Sequence, residues 1–180
     1  MAFNFEKFVA TIHYICELGS AHRDKVDLDP IKLNKVLWYS ECMAYLVRKQ
    51  PIFGATFIRK QHGPVPRAKL AAIRELEKVG AIKPGQKADG KGGYIPCLDV
   101  ISEANKTPFD GEELAIIDRV FKAVCFENTS FQISERTHGE VWNKEKMDRV
   151  LPLFTVFAEK IRKPTAAQMK LATATLAANG

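Results

Sequence analysis

Lys32-Leu33-Asn34-Lys35-Val36-Leu37-Trp38-Tyr39, followed by Gln61-His62-Gly63-Pro64-Val65-Pro66, decides how the first half of this chain folds. The first stretch continues a helix that begins at Asp29-Pro30. An aspartate there can cap free N–H groups, and a proline fits the first helical position without losing a needed donor. Leu33, Val36, Leu37, Ser40, Ala44 and Val47 recur at helical spacing and mark an inward stripe. The helix stops before Pro51, whose ring excludes a continuation. The second stretch predicts a rigid turn carrying His62. A third helix follows over residues 66–79, with Leu70, Ile73 and Leu76 inward and Gly80 as its stop.

Outward from this centre, Phe5, Phe8, Val9, Ile12 and Cys16 predict an amphipathic helix over residues 4–18. Residues 56–58 read as a short extended segment. Residues 81–83 and 94–98 read as two short strands joined by a Gly- and Lys-rich loop over 85–93. Asp110 and Glu113 have the spacing of a capping box, and Phe109 and Leu114 that of a hydrophobic staple. Ile117, Phe121 and Val124 continue that helix's inward face. Thr129 with Gln132 repeats the box for a short fifth helix ending near His138-Gly139, and Trp142 follows it. Residues 151–157 suit an edge strand, since Pro152 argues against a central one. The resulting expectation is a mainly α protein with minor β content. It is a single helical domain over residues 1–164 with a small hairpin and edge strands, then an Ala- and Thr-rich tail, 165–180.

The 180 residues are 46% hydrophobic and 27% charged, the composition of a soluble globular protein. No apolar run reaches the length of a membrane span, and the N-terminus lacks the pattern of a signal peptide, so the expected compartment is the cytoplasm. Cys16, Cys42, Cys97 and Cys125 are widely spaced in apolar surroundings and read as free thiols. No histidine lies at metal-ligand spacing from a cysteine, so neither metal nor cofactor is expected. Charge is uneven along the chain. Residues 59–91 hold nine Lys or Arg against three acids, whereas residues 92–158 hold seven against eleven. A basic middle can meet nucleic acid or an acidic protein, or be a solvated face.

Catalytic patterns are absent from this sequence. His62 has only Lys60 and Gln61 as polar sequence neighbours, which suits a turn residue better than a general base. Gly90-Lys91-Gly92-Gly93 lacks the strand and the Gly-Lys-Ser/Thr ending of a phosphate loop. Trp38, Tyr39 and Tyr45 flank the inward stripe. Core contacts account for most of this placement, while partial exposure of Trp38 beside Lys35 would instead create an interface anchor. Three helices and a basic hairpin also follow the order of a winged helix-turn-helix. Arg67, Lys69 and Arg74 would then enter the major groove, with Lys87 and Lys91 on phosphates. The long connection over residues 50–65 argues against that reading.

The K-L-x-K-x-L-x-Y pattern over 32–39, H-G-P-V-P over 62–66 and T-H-x-x-x-W over 137–142 together resemble the Panacea domain. This is a family of antitoxin-like proteins related to the SocA antitoxin and to phage-associated GepA-type proteins. The resemblance covers roughly residues 5–165. One departure is Thr137-His138-Gly139-Glu140, where many members carry Ser-His and two acidic residues. The resemblance implies a mostly α-helical antitoxin whose partner is a cognate SocB-like toxin. Relatives of this kind also act as adaptors that present the toxin to the ClpXP protease. It implies no catalytic residues. On this reading Lys35, Trp38, Tyr39, His62, Gly63, Pro64 and Pro66 form a preorganised groove for the partner, with Trp142 contributed by the later motif.

Overall fold

A capping side chain opens the first, second and fourth of the helices, and none opens the third. The computed structural model describes residues 2–89, 92–131, 146–153 and 155. Asn4 accepts the Lys7 N–H and opens α1, Phe5–Ala21. Asp29 accepts the Lys32 N–H at 2.7 Å and opens α2, Pro30–Arg48, with Pro30 in its first turn. Its inward stripe holds from Leu33 through Ala44, but Val47 is 59% exposed.

The H-G-P-V-P segment departs from expectation. β1, Phe57–Lys60, pairs antiparallel with β2, Gly63–Pro66, in a register that sets Phe57 opposite Pro66 and Lys60 opposite Gly63. Only Gln61 and His62 remain in the turn. Gly63 has φ 110°, a conformation that side-chain-bearing residues rarely adopt. Both prolines are tolerated because β2 lies at an edge of the sheet, where a missing N–H leaves no ladder bond unmade. β1 is central, and β5, Val150–Leu151, covers its other side with Leu151 opposite Phe57. Of the edge strand expected over 151–157, only Leu151 pairs among the described residues; Pro152 and Leu153 leave the ladder and Thr155 is helical.

The third helix, α3, spans Lys69–Lys78, so it starts later than residue 66. Ala72 and Leu76 are buried, whereas Leu70 is 65% exposed rather than inward. Gly80, at φ 71°, follows its end. β3, Ile82–Ala88, and β4, Tyr94–Val100, form a hairpin paired from Ile82↔Val100 to Ala88↔Tyr94. The ladder takes up residues 85–88 of the loop expected over 85–93. α4, Gly111–Cys125, begins with the anticipated capping box: Asp110 accepts the Glu113 N–H, and the Glu113 side chain accepts the Asp110 N–H.

Helices make up 47% and strands 18% of the described residues, the strands forming two small sheets. The fold is therefore α+β, and the mainly α expectation is corrected. Two prolines and a Lys/Gly-rich stretch read locally as turn and loop. Pairing across the chain instead satisfies their backbone groups as strands. The expected fifth helix beyond Phe131, Trp142, Lys91 and the tail 165–180 lie outside the described residues.

A single core joins these elements. Phe8, Ile12 and Ile15 of α1 meet Val36 and Leu37 of α2, Phe53, Phe57 of β1, Ile82 of β3 and Ile117 of α4, all fully enclosed. Each such side chain contributes about 1.5–3 kcal/mol by leaving water. Charge ties the helix ends together at the periphery. Arg48 at the end of α2 bridges Asp110, Glu112 and Glu113, and Lys7 of α1 reaches the same Glu113.

Candidate partner-binding face

One turn after another, α2 presents polar and aromatic groups to the segment that follows it. Lys35 is fully enclosed, and its ammonium donates to the His62 carbonyl at 2.5 Å. Burial drives its pKa down to about 7. Trp38, 4% exposed, lays its ring edge-on to Phe57 of β1, with centroids 5.0 Å apart. Glu41 is enclosed as well, and its carboxyl accepts the N–H groups of Ile52, Phe53, Gly54 and Ala55 at 2.6–3.3 Å. Burial pushes the Glu41 carboxyl up to about 7, against the opposing pull of those four donors. A long helix thus grips residues 52–55, then β1, then the β1–β2 turn.

This geometry sets most residues of the expected groove inward. Lys35, Trp38, Gly63, Pro64 and Pro66 are buried, Tyr39 is half-buried, and only His62 among the described groove residues is exposed. In this conformation the stretch faces inward as a scaffold. Trp142 lies outside the described residues. The sequence reading missed Glu41, although its position on the inward stripe between Ser40 and Ala44 was the available signal: an acid there must find donors.

The Lys35 environment has a measurable consequence. Its folded pKa of about 7 lies below the ordinary 10.5, so between those values the unfolded chain holds more protons. Stability from this group is therefore present above pH 10.5 and is lost as pH falls through 7. Urea unfolding of the wild type, minus that of Lys35→Met, should rise from pH 7 to pH 9. A flat difference would mean the ammonium stays charged when buried.

The basic residues of the winged-helix reading separate into three situations. Arg67 and Arg74 are exposed on or beside the outer face of α3, flanking the exposed Leu70. Lys69 is half-buried on the opposite side. Lys87 lies 2.7 Å from Asp27 and also donates to the Arg23 and Val26 carbonyls, so it straps the hairpin to the segment before α2. Arg23 does the same through Asp99. Between α2 and α3 stands a β-hairpin, where a helix-turn-helix has a turn of about three or four residues. The DNA-binding arrangement thus lacks its turn and a free Lys87.

A cleft of about 340 Å³ opens where the start of α2, the inner side of α3 and the β3–β4 hairpin meet. No local signal marks it in the sequence, because its walls come from segments far apart in the chain. Among the described residues, no cluster of His, Cys, Asp and Glu is placed to hold a metal ion. No helix there is long and apolar enough to cross a membrane. The cysteines are free, with Cys16, Cys42 and Cys125 buried and Cys97 half-buried.

Residues 33–143 match the family model described as antitoxin SocA-like, Panacea domain. This chain belongs to that family. No curated protein and no solved structure matches it. The matched span is shorter at both ends than the expected 5–165. It opens within α2 and includes the Lys35, Trp38 and Glu41 contacts, both hairpins, α3 and α4. The Panacea domain here is thus organised by one helix holding the chain that follows it. α1 precedes the matched span yet supplies Phe8, Ile12 and Ile15 to the same core.

Proposed function

We propose that this Panacea-domain protein is the antitoxin of a toxin–antitoxin pair. It binds the toxin encoded beside it in the cytoplasm and delivers that toxin to the ClpXP protease, acting by binding rather than catalysis. The observation that carries this reading is the family match over residues 33–143. The surface that supports it is the outer face of α3, where Arg67 and Arg74 flank exposed Leu70 within the basic stretch 59–91. Such a face steers an acidic partner and speeds encounter.

Expression of the neighbouring gene should arrest growth unless this protein is present, and the two products should co-purify. Absence of either effect overturns the antitoxin reading. Toxin half-life with purified ClpXP should shorten when this protein is added, and an unchanged half-life removes the adaptor role. The docking face has its own readout. Arg67→Glu with Arg74→Glu should slow toxin association by about tenfold at low salt, with the difference shrinking as salt rises. Thermal stability should hold, since both side chains are exposed. An unaltered association rate places the toxin elsewhere.

A further inference from the structure

The cleft beneath the hairpin combines three properties. Its walls are largely apolar, supplied by Leu28, Leu33, Ile73, Pro84, Pro96 and Leu98. Its volume of about 340 Å³ falls at the small end of ligand-binding pockets. Its rim carries the Lys69 ammonium, for which no hydrogen-bond or ion-pair partner exists among the described residues. Burial lowers the Lys69 pKa, and no charge among the described residues opposes it. A cation held against apolar walls, with no counter-charge on it among the described residues, is unfavourable and is relieved by an anion.

The other charged group on the rim does not supply that anion. Asp29 makes no ion pair with Lys69; its oxygens turn instead to the Lys32 N–H at 2.7 Å and the Ser130 hydroxyl at 2.5 Å. The site is also preformed: the Lys87–Asp27 and Arg23–Asp99 pairs fasten the hairpin that roofs it. We propose that this cleft is a binding site for a small amphipathic anion, an apolar body of medium-chain acyl size lying along the Pro84–Leu98 wall with a carboxylate on Lys69. The assignment needs only this chain and stands apart from toxin binding.

Isothermal titration of the full-length protein with octanoate, octanol and octylammonium tests it. Octanoate should bind about tenfold more tightly than octanol, the gain of one charge-assisted hydrogen bond in a partly dry site. Lys69→Met should erase that preference while leaving octanol affinity in place, and Lys69→Glu should transfer it to octylammonium. Ile73→Trp keeps Lys69 but fills the cleft, so both octanoate and octanol should lose binding. Arg74→Ala, on the outer face of α3, should change nothing. Equal affinities of octanoate and octanol for the wild type would overturn the proposal. So would a carboxylate preference that survives in Lys69→Met, or binding that survives in a folded Ile73→Trp variant.

Discussion

Glu41→Ala should destabilise the protein by about 4 kcal/mol or more, the loss expected when one side of a buried charged network is removed. The carboxyl is fully enclosed and is the acceptor for four consecutive N–H groups, Ile52 to Ala55. Alanine leaves all four facing an apolar cavity, and this segment leads directly into β1. Loss of the grip therefore spreads to the central strand of the three-stranded sheet. Glu41→Gln keeps an acceptor oxygen and should fall between the two. The measurement is the urea midpoint of each variant. A loss below about 1 kcal/mol would mean that water takes the place of the carboxylate. The pH response gives a second readout. The folded pKa of about 7 lies above the ordinary 4.5, so the folded state holds the proton more tightly between these values. The stability that Glu41 adds relative to Glu41→Gln should be greatest below pH 4.5 and decline as pH rises through 7.

What could be read from the sequence was what neighbouring residues settle among themselves. Asp29 with Pro30, and Asp110 with Glu113, fix helix starts through contacts three residues apart, and both form as expected. Gly63 to Pro66 could not be read this way. Two prolines in four residues suggest a turn, and only the position of β2 at a sheet edge, set by its pairing with β1, makes a strand of them. The same holds for residues 85–88, where Gly, Gln and Lys look like a loop until β4 pairs with them. Periodicity places Leu70 inward, yet α3 turns Ala72 and Leu76 to the core and leaves Leu70 outside. Small Ala72 lets the helix approach α1 closely, and helical spacing alone does not report that. The burial of Lys35 and of Glu41 escapes the sequence for one shared reason. A charged side chain reads as solvent-facing unless its buried partners are known, and here those partners lie eleven or more residues downstream.

Trp38→Ala should cost about 3–5 kcal/mol in stability without a specific loss of toxin affinity in the molecules that remain folded. The ring is 4% exposed and stands edge-on to Phe57, so it joins α2 to the central strand rather than presenting a surface. Removing it deletes a large buried area and the aromatic pair, and leaves a cavity between α2 and β1. Trp38→Phe retains part of that contact and should recover much of the loss. The two readings of this residue then separate cleanly. If Trp38 is scaffold, urea midpoints fall in the order wild type, Phe, Ala, while toxin titrations well below the unfolding midpoint superimpose after correction for folded fraction. If Trp38 grips the partner, the alanine variant stays within about 1 kcal/mol of wild-type stability and loses toxin binding at full folding. The first outcome assigns the Lys32–Tyr39 pattern to holding the fold, and leaves recognition to exposed groups such as His62, Arg67, Leu70 and Arg74.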